Sequence, residues 1–235
     1  MEPPGDMMGY DRAITLFNPD GRILQVEYAK RTVSQGFAAV GLVGKNSIVF
    51  VADKKLHDLE KLIVPESIEK IFKIDEHIGA AIAGMIADGR TLIEKAQVNA
   101  QQFRVTYNEE ADLTLVVKGI SAEMQSLTQY GGARPYGVSI LFGEVKDSKP
   151  VLFMLDPSGT FFQYRGAAIG GNSDSINKFL EKEYKPDMDT ENLLKLGIKA
   201  LKLEEGKADS DKFEVAVIDQ DGFRKLSKEE IAKYV

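Results

Sequence analysis

The spacing of hydrophobic residues changes several times along this chain of 235 residues, and each change predicts a new element. Between residues 20 and 34, apolar side chains recur every three or four positions, which predicts a helix that Asp20 caps and Gly36 ends. The residues on the apolar face of this helix are Ile23, Val26, Ala29 and Val33. The next segments, 37–43 and 47–53, contain residues that favour strands and flank a Gly-Lys-Asn turn, so they predict a β-hairpin.

Further along the chain, the helical patterns come in pairs. The first pair is predicted at 86–103 and 109–129, and the second at 173–184 and 190–204. Strands are predicted at 70–74, 77–84, 137–145, 151–156, 160–165 and 212–219, followed by a short helix at 227–234. Paired helices favour antiparallel sheets with helices on their outer faces over a doubly wound parallel sheet. The predicted fold is therefore α+β, with two stacked antiparallel sheets that are each covered by one helix pair, in a single domain.

Composition excludes several classes of partner and site. The formal net charge of −6 disfavours nucleic acid and anionic lipid as partners. The chain has no cysteine, which excludes disulfides, thiolate nucleophiles and cysteine metal sites and fits the cytoplasm. The longest apolar stretch, 78–87, is half of the about 20 residues that a membrane helix needs. No membrane partner is expected.

A search for catalytic and cofactor motifs is mostly negative. The segment GLVGKN at 41–46 lacks the Gly and the Ser or Thr of a phosphate-binding loop, because Ala39 and Asn46 occupy those positions. The Gly-rich stretch 169–175 is interpreted as a tight turn into a helix, capped by Ser173 or Asp174. With only His57 and His77, a histidine-rich metal site is excluded, and each histidine is expected to be structural or solvated. No metal, cofactor or catalytic residue is predicted from these patterns.

One longer segment is a much more specific sign of relationship than these short motifs. Residues 10–29, YDRAITLFNPDGRILQVEYA, resemble the N-terminal signature of α-type subunits of the 20S proteasome, in particular those of archaea. Other motifs follow in that family's order: SIEKI (67–71), GMIADGR (84–90), QYGGARPYGVS (129–139), DPSG (156–159), AAIGG (167–171) and GIKALK (197–202). The resemblance spans essentially the whole chain, and it implies a four-layer αββα sandwich, the N-terminal nucleophile hydrolase fold.

The resemblance also implies that this chain is not catalytic. Catalytic β-type relatives begin at a threonine on the first strand, and Phe37 stands at that position here, directly after Gly36. Asp53 and Lys70 match acidic and lysine positions of catalytic relatives, but phenylalanine offers no nucleophilic atom. Two alternatives stay open at this point: an independent N-terminal nucleophile hydrolase, and a ring-forming scaffold without a protease partner.

For α-type subunits, the resemblance implies an outer ring of seven copies that caps a chamber made by β subunits. Tyr10, Asp11, Pro19 and Tyr28 match the cluster that holds the gate open between neighbouring subunits. Residues 1–9 would form the mobile plug within a gate segment at 1–19, followed by a helix at 20–35 and the core at 36–235. The alternative for the first residues is an ordinary frayed chain end.

Two further sites are implied by the resemblance. Lys70 matches the lysine that binds the C-terminal carboxylate of ATPase activators, whose tails end in hydrophobic-Tyr-any residue. Met85 and Lys30 match other positions of that pocket, although many relatives carry Arg where Lys30 stands. The alternative for Lys70 is a strand residue that faces solvent. Tyr130, Gly131 and Gly132 match the loop that narrows the pore for unfolded polypeptide, although the glycines could also simply end a helix.

Overall fold

Two stacked antiparallel sheets form the centre of the protein in a computed structural model that describes residues 15–54, 62–64, 67–204 and 210–235. The strands of the first sheet are β1 (Ala39–Val43), β2 (Ile48–Asp53), β8 (Gly166–Ile169), β9 (Phe213–Asp219) and β10 (Gly222–Lys225). The strands of the second are β3 (Ile71–Asp75), β4 (Ile78–Gly84), β5 (Val138–Lys146), β6 (Lys149–Leu155) and β7 (Phe161–Tyr164). Their orders are β10-β9-β2-β1-β8 and β3-β4-β5-β6-β7.

Helices cover both outer faces of the two sheets. The helices are α1 (Leu24–Gln35), α2 (Ile86–Tyr107), α3 (Leu113–Leu127), α4 (Ser173–Glu183), α5 (Thr190–Leu201) and α6 (Lys228–Ile231). Helices α2 and α3 pack on the second sheet, whereas α4 and α5 pack on the first. This arrangement confirms the predicted αββα sandwich. Across the described residues, helices long and apolar enough to cross a membrane are absent.

The apolar residues form three layers, and strand alternation explains how they are filled. In β4, Ile82 contributes to the layer beneath α2 and α3, while its neighbours Ala81 and Ala83 contribute to the layer between the sheets. Phe50 of β2 is fully buried in that middle layer. Burial of one such large side chain contributes about 1.5–3 kcal/mol, so the three layers together drive the stacking of helices and sheets.

The predicted start of the first helix is wrong by four residues. Helix α1 begins at Leu24, and its N-cap residue Ile23 provides no side-chain hydrogen bond. Asp20 instead lies in a reverse turn, in which the Asn18 side chain accepts a hydrogen bond from the Arg22 backbone amide at 2.8 Å. The turn uses the hydrogen-bonding groups that an N-cap at Asp20 would have needed.

Two short strands and one helix cap also differ from the predictions. Strands β8 and β10 have four residues each and were not predicted as separate strands, because their extended form depends on pairing with β1 and β9. The N-cap of α4 is Asn172, with a left-handed backbone (φ 57°), rather than Ser173 or Asp174.

His77 is buried, as expected for a structural histidine, with Nε2 2.9 Å from the Ala111 carbonyl oxygen. His57 lies outside the described residues.

Close contacts between glycine backbones fix the point where α1 ends and the chain enters the sandwich. A Cβ atom on Gly36, the C-cap of α1, would lie 2.5 Å from the backbone nitrogen of Gly84. A Cβ atom on Gly84 would lie 2.3 Å from the Gly137 carbonyl oxygen, and Gly84 has a φ of +113°. The Gly171 amide donates to the Gly36 carbonyl at 2.7 Å. Contacts between backbone atoms of these glycines thereby hold the end of α1 against both sheets.

We expect Gly84→Ala to destabilise the fold strongly, because the new methyl group would meet a backbone oxygen that cannot rotate away. Strain at a φ of +113° alone costs about 1–3 kcal/mol. Gly131→Ala is the matched control, since a Cβ atom there meets nothing within 4 Å. Urea unfolding measures both changes, and equal stability of the two variants would contradict the role given to this contact.

Candidate functional site

Lys70 lies directly before β3 and its side chain points into the protein; the residue is only 2% exposed. Its ammonium nitrogen Nζ donates to the carbonyl oxygens of Phe37, Ala38 and Asp53 at 2.6, 3.1 and 3.1 Å. The alternative that Lys70 faces solvent is therefore wrong. An ammonium has three donors. Two of the acceptors directly precede β1 and the third, Asp53, is the last residue of β2, so all three lie at one end of these strands in the opposite sheet.

Phe37, which the resemblance matches to the nucleophile position of catalytic relatives, follows α1 without a break in the chain. Gly36 donates its amide to the Val33 carbonyl at 2.9 Å, so the chain passes directly from α1 into Phe37. The Phe37 ring lies 5.8 Å from the Lys70 Nζ. The adjacent cavity, which Phe37 and Asp53 help to line, has a volume of about 50 Å³. That volume suits a few water molecules and not a peptide.

A second set of charges, which was not predicted from the sequence, holds the Lys70 backbone. The Lys70 amide donates to Glu214 Oε2 at 2.8 Å, and Lys225 Nζ bridges Glu214 and Glu69 at 2.7 and 2.5 Å. Burial disfavours the charged form of Lys225, but its hydrogen bonds to both carboxylates outweigh this effect and raise its pKa. The available signal was a glutamate inside the apolar run of β9.

Of the residues predicted to form a gate, Tyr10 and Asp11 lie outside the described residues, as does the segment 1–9. Pro19 is exposed in the turn that precedes α1. This turn is closed by a hydrogen bond from the Asn18 amide to the Arg22 carbonyl at 2.8 Å and by the pairing of Phe17 with Ile23. Phe17 is 66% exposed, which places an aromatic surface beside Pro19.

Tyr28 and Lys30 lie on the part of α1 that faces away from the sheets. Tyr28 is 50% exposed, whereas its neighbour Ala29 is buried against the sandwich. Lys30 forms ion pairs with Asp156 at 3.3 Å and with Glu27 at 3.9 Å. The Asp156 carboxylate also accepts from the backbone amides of Ser158, in its own DPSG turn, and of Thr160 directly after it, so Lys30 connects α1 to that turn.

Met85 is the N-cap residue of α2, and 39% of its surface is exposed. Its amide donates to the Gly137 carbonyl at 2.9 Å, and its Sδ lies 3.3 Å from Nη2 of Arg134. The single chain therefore brings Met85 next to the 130–137 loop.

The tip of the 130–137 loop is exposed. Tyr130 is 65% exposed, and a Cβ atom on Gly131 or Gly132 would meet nothing within 4 Å. Gly132 has a φ of +90°, a conformation that favours glycine. Helix α3 already ends at Leu127, so the glycine pair lies beyond the helix.

The base of the same loop is held by an ion pair that was not predicted from the sequence. Arg134 Nη1 donates to Asp88 Oδ2 at 2.6 Å and Nη2 donates to Oδ1 at 2.8 Å. Gly137 donates its backbone amide to Asp88 Oδ2 at 2.8 Å. Burial acts to raise the pKa of Asp88, but the hydrogen bonds from Arg134 and Gly137 outweigh burial and lower it. The pair is therefore ionised near neutral pH.

Comparison with known proteins shows the family of this chain. The family described as "Proteasome subunit" matches residues 33–218, and the N-terminal signature of A-type proteasome subunits matches residues 10–31. The proteasome alpha subunit of Methanosphaerula palustris is 44% identical over 235 residues, which cover 99% of this chain and 97% of that protein. Its namesake in Methanosarcina acetivorans is 46% identical over 97% of this chain and 93% of that protein.

A further relative gives the same result: the proteasome alpha subunit of Thermococcus gammatolerans is 44% identical over 97% of this chain and 87% of that protein. The N-terminal signature ends at residue 31 and the second match begins at residue 33, so together they cover α1 and almost all of the sandwich. This chain belongs to the proteasome α-subunit family.

Proposed function

We propose that this chain is a non-catalytic, gating α subunit of a cytoplasmic 20S proteasome. Seven copies form an outer ring over a chamber of β subunits, which carry out the proteolysis. The ring admits unfolded polypeptides and docks the C-terminal tails of ATPase activators. The single observation that carries this proposal is Phe37, which stands at the nucleophile position in unbroken continuity with α1.

Phe37 supports a non-catalytic role on chemical grounds. Its side chain has no atom that could attack a peptide carbonyl. The nearby lysine, which would assist such an attack, has its ammonium engaged by three carbonyl oxygens, among them that of Phe37 itself. Residues that support catalysis in β-type relatives thus support the fold here.

Exposed apolar and aromatic surface along the N-terminal turn and α1 favours assembly into a ring. Leu16, Phe17 and Tyr28 are each at least half exposed in the single chain. Large apolar side chains of this kind are typical of protein interfaces. A neighbouring copy in the ring would cover this surface and would bring Tyr28 towards the Pro19 turn.

The Pro19 turn suits a gate because hydrogen bonds hold it together on both sides. With Asn18 bonded to Arg22 and Phe17 paired with Ile23, the turn moves as one piece relative to α1. Any displacement of the turn is passed on to the residues that precede it. We propose that residues 1–9 form the plug and that Tyr10, Asp11, Pro19 and Tyr28 stabilise the open gate.

Activator docking would use Lys70, together with Met85 and Lys30. In the single chain all three donors of the Lys70 ammonium are used by neutral carbonyl oxygens. Because Lys70 is buried in the single chain, a tail carboxylate has to displace one of these acceptors to reach the ammonium, and the charge-assisted hydrogen bond that it forms is the stronger of the two. Several tails on one activator sum to firm binding, and they open the gate to the extent that they prefer the open state.

The first prediction concerns the plug. Removing residues 1–11 should raise the hydrolysis of short peptides severalfold in particles assembled with a proteasome β subunit, because passage through the ring is no longer obstructed. The comparison is made with full-length particles that contain the same amount of β subunit. Equal rates for truncated and full-length particles would contradict the gate assignment.

The second prediction concerns the activator pocket. Lys70→Ala and Met85→Ala should each weaken stimulation by a peptide that ends in hydrophobic-Tyr-any residue. Loss of the charge-assisted bond at Lys70 corresponds to about 1.5–3 kcal/mol, or roughly a 10- to 150-fold increase in Kd. Stimulation is measured as the rate of peptide hydrolysis against the concentration of the tail peptide.

Lys73→Ala is the matched control, because Lys73 is a half-exposed lysine of β3 whose ion pair is with Glu76. Lys70→Ala also removes hydrogen bonds that support the fold, so thermal unfolding and assembly are checked first. Met85→Ala tests the pocket without that complication, since the Met85 side chain is partly exposed and supports less of the fold. Unchanged stimulation in both variants would place the pocket elsewhere.

A further inference from the structure

The loop between α3 and β5 has a firmly held base and an unsupported tip. At the tip, Tyr130 is exposed and the two glycines that follow have open space around them. At the base, Pro135 and Gly137 are buried, and Arg134 and Tyr136 bind side chains of α2 and α3. The contacts described for this loop thus lie mainly at its base.

The Asp88 carboxylate is the centre of these contacts. It accepts three hydrogen bonds, two from the guanidinium of Arg134 and one from the Gly137 amide, at 2.6 to 2.8 Å. Asp88 itself lies in the first turn of α2, where a negative charge is favoured by the helix dipole. A bidentate Arg-carboxylate pair fixes both distance and orientation, which a single point contact does not.

A second anchor lies on the other helix. The Tyr136 hydroxyl donates to Glu123 Oε1 at 2.7 Å, and Lys95 forms an ion pair with the same carboxylate oxygen. The base of the loop is thus attached to α2 through Asp88 and to α3 through Glu123. Of the two anchors, Arg134 is closer in sequence to the tip, with only Ala133 between it and Gly132.

We infer that Asp88 and Arg134 are positioning residues that set the place of the loop tip, residues 130–132. The consequence of this inference for the width of the pore through the ring rests on the pore-loop role proposed above. Without the pair, the chain between Thr128 and Pro135 loses its attachment to α2 and the tip can move over a wider range. The remaining contacts of the loop, at Tyr136 and Gly137, lie farther from the tip.

The absence of cysteine from the sequence allows a direct test. Tyr130→Cys, labelled with a nitroxide, reports the motion of the tip by electron paramagnetic resonance in full-length particles assembled with a proteasome β subunit. Adding Arg134→Ala or Asp88→Asn should shift the spectrum towards fast motion. Arg134→Lys should give an intermediate spectrum, because lysine keeps the charge and loses the bidentate geometry.

Arg104→Ala is the matched control. Arg104 lies on α2, the helix that carries Asp88. Like Arg134, it donates to both oxygens of a buried aspartate, in this case Asp75, at 2.8 and 2.9 Å. This pair lies at the opposite end of the helix from Asp88. Its loss should reduce thermal stability to a similar degree and leave the nitroxide spectrum unchanged.

Fast motion of the tip in the Arg134 and Asp88 variants, with no such change in Arg104→Ala, would support the inference. An unchanged spectrum in these variants, or an equal change with Arg104→Ala, would overturn it. The functional arm measures the degradation of an unfolded protein by unlabelled particles that carry Arg134→Ala. If the tip becomes mobile and degradation stays the same, the positioning role stands and the proposed pore-loop role fails, so the two failures can be told apart.

Discussion

A buried positive charge must be satisfied within the protein, and much of this structure is arranged around the way the Lys70 ammonium is satisfied. Lys70 enters from the sheet of β3, and its acceptors are carbonyl oxygens from the ends of β1 and β2 in the opposite sheet. One side chain thereby ties the two sheets together at the point where α1 ends. Loss of this side chain would remove three buried hydrogen bonds at once, which is costly.

The same end of the sandwich contains the other elements to which we assign functional roles. Phe37, which accepts from Lys70, follows Gly36, and Gly36 lies against Gly84. Gly84 in turn lies against Gly137, whose amide is held by Asp88. The exit of α1, the start of α2 and the base of the 130–137 loop are therefore in continuous contact through backbone atoms. The proposed gate, activator pocket and pore loop would therefore share this support.

The layers of the fold could be predicted from the sequence because hydrophobic periodicity is a local signal. Strand β8 could not, because its four residues are extended only through pairing with β1. The start of α1 was misplaced because the side chain of Asn18 closes a turn that a helical pattern does not reveal. For the site, the resemblance identified Lys70 as a residue of interest. Its burial and its acceptors depend on contacts between distant segments, and the same holds for Asp88 and Arg134, which are 46 positions apart.

The central claim, that this chain builds the ring of a proteasome, is tested most directly by native mass spectrometry of the full-length protein, alone and with a proteasome β subunit. The account predicts assemblies of seven copies of the 25.9 kDa chain, or two stacked rings of seven, and a larger particle when the β subunit is present. A chain that stays monomeric alone and also in the presence of the β subunit would contradict it.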